Sequence, residues 1–68
     1  MNIKVKILRT NEIKNISIQR GSTIQDLLKK INMKPDTIIM MNKNQPVPID
    51  DPLNEEQELT IIQVSSGG

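Results

Sequence analysis

Residues 21–32 read GSTIQDLLKKIN, and the spacing of their apolar members differs from that of everything around them. Ile24, Leu27, Leu28 and Ile31 fall at i, i+3, i+4 and i+7, which is one face of an α-helix. Thr23 stands where an N-cap belongs. Its hydroxyl can accept from the backbone N–H of Asp26, and the Asp26 carboxylate can answer as a capping box. Lys29 and Lys30 lie near the negative end of the helix dipole, Asn32 can end the helix in a left-handed conformation, and Pro35 prevents its resumption. The predicted helix therefore runs from about Ile24 to Ile31, and no other segment has its period.

The flanks alternate with period two instead. NIKVKIL (2–8) puts Ile3, Val5 and Ile7 on one side and Lys4 and Lys6 on the other, the pattern of a strand with one wet face. IKNISIQ (13–19) offers Ile16 and Ile18 to the same side after the turn-forming RTNE, so residues 3–18 read as a β-hairpin. TIIMMN (37–42) is a short continuous apolar run, too brief for a stable helix, and reads as a third strand. KNQPVPIDDPLNEEQ (43–57) holds three prolines and reads as turns around a short edge strand near Val47. ELTIIQV (58–64) closes as a last strand with Leu59 and Ile61 inward. This order predicts an α+β domain, a mixed sheet of four to five strands with one helix laid across it, over residues 1–64, followed by a flexible tail at residues 65–68.

Composition excludes several functions. Of 24 apolar residues 12 are Ile, none is aromatic, and a chain of 68 residues buries only about 60% of its unfolded surface, so a deep catalytic pocket is not expected. The absence of His and Cys removes the usual general base, the thiol nucleophile and the common metal ligands. We expect a protein that is not an enzyme and binds no metal or cofactor. Net charge is +1 and there is no aromatic platform for stacking bases, so nucleic-acid binding is not expected; neither is membrane insertion, since no apolar run reaches spanning length. The expectation is a cytoplasmic monomer. Charge is unevenly divided, with residues 1–34 near +6 and residues 35–68 near −5. Either folding pairs the two halves loosely, or the acids Asp50, Asp51, Glu55, Glu56 and Glu58 form a surface that steers a basic partner.

The sequence ends QVSSGG, and two glycines after a strand-like run need a reason, because glycine loses most freedom when ordered. A frayed terminus is one reading. The other comes from a resemblance that covers the whole chain: MNIKVKIL, STIQDLLKKI and ELTIIQVSSGG resemble the first strand, capped helix and last strand with terminal diglycine of the ubiquitin-like β-grasp proteins. Among these, the small sulfur carriers of thiamine and molybdopterin synthesis and the small archaeal modifiers are most similar. The resemblance implies that the Gly68 carboxylate is the reactive group. An activating enzyme would couple it to AMP using ATP, and sulfur would then convert the adenylate to a thiocarboxylate for thiamine, molybdopterin or tRNA thiolation. Alternatively, the adenylate would pass to the lysines of target proteins. Gly67 and Gly68 would thread a narrow channel of that enzyme, with Ser65 and Ser66 behind them where bacterial carriers more often have small apolar residues. The implied partners are the activating enzyme and a sulfur-acceptor synthase or target-protein lysines. The compact NKNQPVP turn looks more like the thiamine-type carriers.

Docking is implied as well. If Leu59 and Ile61 point inward, Thr60, Ile62 and Val64 lie on the open sheet face; if Ile39 and Met41 point inward, Ile38 and Met40 lie there too. Leu8, Met40, Ile62 and Val64 then resemble the apolar patch by which ubiquitin-like proteins dock, although a one-residue slip would bury Met40. A β-grasp interaction module that never uses its tail is the third functional alternative.

Overall fold

The computed structural model describes residues 1–55 and 57–64. Strands β1 (Asn2–Ile7) and β2 (Glu12–Ser17) form the expected hairpin, and the helix α1 (Ile24–Lys30) follows. A 3-10 turn at Pro35–Thr37 then leads into β3 (Ile38–Asn42), β4 (Gln45–Pro46) and β5 (Glu58–Gln63). The sheet order is β2-β1-β5-β3-β4, with β1 and β5 parallel at its centre and the remaining pairs antiparallel. This is a mixed five-stranded sheet with one α-helix across it, the β-grasp arrangement expected.

The helix begins as its sequence dictates. The Asp26 N–H donates to the Thr23 hydroxyl and the Thr23 N–H donates to the Asp26 carboxylate at 2.9 Å, completing the capping box. Two further N–H groups of the first turn are satisfied from outside: Ile24 donates to the Asp51 carbonyl (3.0 Å) and Gln25 to that of Ile49 (2.8 Å). The proline-rich segment is thereby strapped to the helix start, and its Leu53 enters the core. Asn32 takes φ +63° just beyond the helix, as its αL tolerance allows.

The core is aliphatic: Ile3, Val5 and Ile7 of β1, Leu59 and Ile61 of β5 and Ile38 and Met40 of β3 meet Ile24, Leu27 and Leu28 of the helix. Here β3 corrects the sequence reading. Met40 is only 2% exposed, and Ile38 is buried beside it, whereas Ile39 is 42% exposed. The phase is fixed by pairing, because Met40 stands opposite Ile61 and residues directly opposite share a face. Ile61 is fully buried, so Met40 must be as well. Met40 and Ile38 therefore leave the open face, and Ile39 and Met41 take their places. Positive φ at both Lys43 and Asn44 marks a two-residue type I′ hairpin between β3 and β4.

Between the two oppositely charged halves, the described residues form two exposed ion pairs, Lys4–Glu58 (3.6 Å) and Arg20–Glu55 (3.0 Å). Exposed pairs contribute about 0 to 1 kcal/mol each, so the asymmetry is a surface property more than a source of stability.

Candidate functional site

β5 lies third in the sheet, flanked by β1 on one side and β3 on the other, and this position organises the open face. Its residues alternate: Leu59 and Ile61 enter the core, while Thr60 and Ile62 turn away from the helix and stay half-buried. Ile62 stands opposite Ile39 of β3. On the other side Leu8, one residue beyond the Ile7–Ile61 pair, comes alongside Ile62, and its N–H donates to the Ile61 carbonyl at 3.1 Å. Leu8, Ile62 and Ile39 thus form a row across three strands. Val64, exposed and two residues on from Ile62, extends it toward the end of β5, where its N–H donates to the Thr37 carbonyl.

Of the four residues expected in this patch, the fold brings Leu8, Ile62 and Val64 together and withholds Met40, whose position is taken by Ile39. Ile13 adds to the same face. It pairs with Lys6, which points outward between Val5 and Ile7, and it is 59% exposed. Leu8 is the diagonal neighbour of Ile13, within reach of long side chains. The sequence held a signal for Ile13: it lies three residues before Ile16, so the two cannot share a face of a regular strand.

The basic rim of the row comes from β1, with Lys6 beside Thr60 on one side and Ile13 on the other. At the opposite end of the sheet, a shallow depression is lined by Asn42, Lys43, Asn44, Asn54, Gln57, Glu58 and Thr60. Its carboxamides, the Lys43 ammonium, the Thr60 hydroxyl and the Glu58 carboxylate make a polar surface open to solvent. Among the described residues no group of three or more His, Cys, Asp or Glu is placed to hold a metal ion, and no helix is long and apolar enough to cross a membrane. Gly67, Gly68, Ser65 and Ser66, together with Glu56 of the acidic surface, lie outside the described residues.

A mixed sheet in the order 2-1-5-3-4, one capped helix across one face and an apolar row across the other define a ubiquitin-like β-grasp domain. The chain belongs to the family of small archaeal modifier protein 2, whose model matches residues 1–65. It is similar along its whole length to a protein of Archaeoglobus fulgidus, at 29% identity over 69 residues with all of both chains covered. It is also similar to the sulfur carrier protein TtuB of Thermus thermophilus, at 23% identity over 62 residues, which is 91% of this chain and 95% of that one.

Proposed function

We propose that the protein is a ubiquitin-like sulfur carrier whose reactive group is the Gly68 carboxylate. The observation that carries this reading is the family match over residues 1–65 in a chain whose β5 is followed directly by Val64 and SSGG. Likeness to a protein named as a sulfur carrier favours the sulfur branch. The carboxylate attacks the α-phosphorus of ATP on an activating enzyme and releases pyrophosphate. A sulfur nucleophile at the oxidation level of sulfide then attacks the carbonyl carbon of the resulting acyl adenylate, AMP departs with the C–O bond's electrons, and a thiocarboxylate remains. The family name supports a second reading, in which the amine of a target lysine displaces AMP and an isopeptide bond forms. Both readings need an activating enzyme as partner and ATP as its substrate. Intact mass of the protein from its native cells tests the choice. Exchange of one terminal oxygen for sulfur supports the carrier, attachment to a whole partner chain supports the modifier, and neither under any growth condition contradicts both.

In either case the row of Leu8, Ile62 and Ile39 with Val64 is the docking surface for the activating enzyme. Ile39→Asp is expected to weaken that complex at least about tenfold, since a charge placed in an apolar contact is desolvated without a partner. The protein's thermal midpoint should hardly move, because Ile39 lies outside the core. Isothermal titration against the activating enzyme reads the first and circular dichroism the second. Unchanged affinity would remove Ile39 from the contact.

A further inference from the structure

The two edges of the sheet are unlike. β4 is two residues long and carries Pro46, with Pro48 following, so it offers little for another strand to pair with. β2 is six residues long, contains no proline or glycine, and runs in unbroken register with β1. A regular edge of this kind is a template for a further strand.

The hydrogen-bond phase of that edge is fixed. Met1 and Ile18 exchange both bonds, the Ile18 N–H donating to the Met1 carbonyl (2.9 Å) and the Met1 amino group to the Ile18 carbonyl (2.8 Å). Alternation along an antiparallel pair then turns the backbone groups of Ile16, Lys14 and Glu12 toward β1, and those of Ile13, Asn15 and Ser17 outward. The Ser17 carbonyl is already taken by the Lys30 ammonium. Ile13 and Asn15 remain to receive a partner.

We propose that β2 pairs antiparallel with β2 of a second copy, with Ile13 opposite Ile13. A two-fold contact centred at or between Ile13 and Asn15 has three possible centres. Centring on Lys14 would set two like charges face to face, which destabilises a strand pair. Centring on Asn15 would place Ser17 opposite Ile13 and require the carbonyl that Lys30 holds. Centring on Ile13 sets Glu12 of each copy opposite Lys14 of the other, giving two opposite-charge pairs, and joins the backbones through the two bonds that the Ile13 residues exchange, since Asn15 then faces Asn11, whose N–H already donates to the Leu8 carbonyl. Of the three registers it is the one that sets opposite charges face to face. It also places the two exposed Ile13 side chains together on the open face, so that the row from Ile39 through Ile62 and Leu8 continues across both copies. The contact is short, and dissociated chains dominate at low concentration. This inference goes beyond the carrier reading and does not depend on it.

Sedimentation velocity and amide chemical shifts, followed from dilute to millimolar protein, test the pairing. The wild-type chain should associate with rising concentration, with amide shifts centred on Ile13 and its neighbours Glu12 and Lys14. Glu12→Lys and Lys14→Glu should each weaken association at least about tenfold, since each replaces two attractions by two repulsions. The E12K/K14E double variant should return it to within about twofold of wild type, because the pairs are restored with their signs exchanged. All of these side chains are exposed, and unchanged circular dichroism confirms the fold in each variant. A wild-type chain that stays monomeric at millimolar concentration overturns the proposal. So does a double variant that fails to recover, or association whose shifts centre on Leu8, Ile39 and Ile62 instead of β2.

Discussion

Leu27→Ala is expected to lower the unfolding free energy by about 2 to 5 kcal/mol, against a few tenths for Lys29→Ala two positions away. Leu27 is fully buried at the middle of the α1 stripe, within the cluster that includes Val5, Leu59 and Ile61. Truncation removes its transfer free energy and leaves a cavity that a sheet fixed on the other side can only partly fill. Lys29 is exposed in the last turn, where it contributes through the helix dipole. A domain of this length has roughly 3 to 10 kcal/mol of stability in all, so Leu27→Ala consumes a large share of it. Urea midpoints by circular dichroism read the difference. Leu27→Met, which conserves volume, keeps the comparison usable if the alanine variant is mostly unfolded, and should cost less than about 1.5 kcal/mol. Equal midpoints for Leu27→Ala and Lys29→Ala would mean that the buried face of α1 has been wrongly assigned.

That face was legible in the sequence because polar residues mark its limits. Gln25, Asp26, Lys29 and Lys30 separate the apolar positions of α1, and Lys4 and Lys6 do the same for β1. Thr23 and Asp26 are local signals whose partners lie three residues apart, so capping could be read without the fold. β3 has no such marks. In IIMM every residue is apolar, so its two faces look alike, and the choice between Met40 and Ile39 is made by the register with β5, a strand some twenty residues later in the chain. The strap from Ile49 to Leu53 was hidden for a related reason: its bonds to Ser22, Ile24 and Gln25 join backbone atoms, to which composition is blind. The candidate site inherits both limits. Leu8, Ile62 and Val64 could be placed from the alternation of β1 and β5, while the fourth member of the row depended on a pairing that no periodicity encodes.

The proposed chemistry at Gly68 leads to the second large effect, complete loss of activation when the chain is extended by one alanine. An activating enzyme from the same organism should support ATP–pyrophosphate exchange that depends on this protein. One added residue moves the carboxylate about 3.3 to 3.6 Å along an extended backbone, farther than in-line attack on the α-phosphorus tolerates, and gives the reacting residue a Cβ. Gly67→Val should also suppress exchange, because a β-branched side chain stiffens the tail and widens it where it must pass a narrow channel. Both changes follow Val64, whereas every core residue described lies at or before Ile61, so circular dichroism and the urea midpoint should match wild type. Loss of exchange with an intact fold separates a chemical role for the tail from a structural one. A β-grasp module that only docks would give no exchange even as wild type, and would bind its partner equally well without Gly67 and Gly68. Exchange by the extended variant at the wild-type rate would show that the adenylated carboxylate need not belong to Gly68, and the terminal-carboxylate mechanism would have to be abandoned.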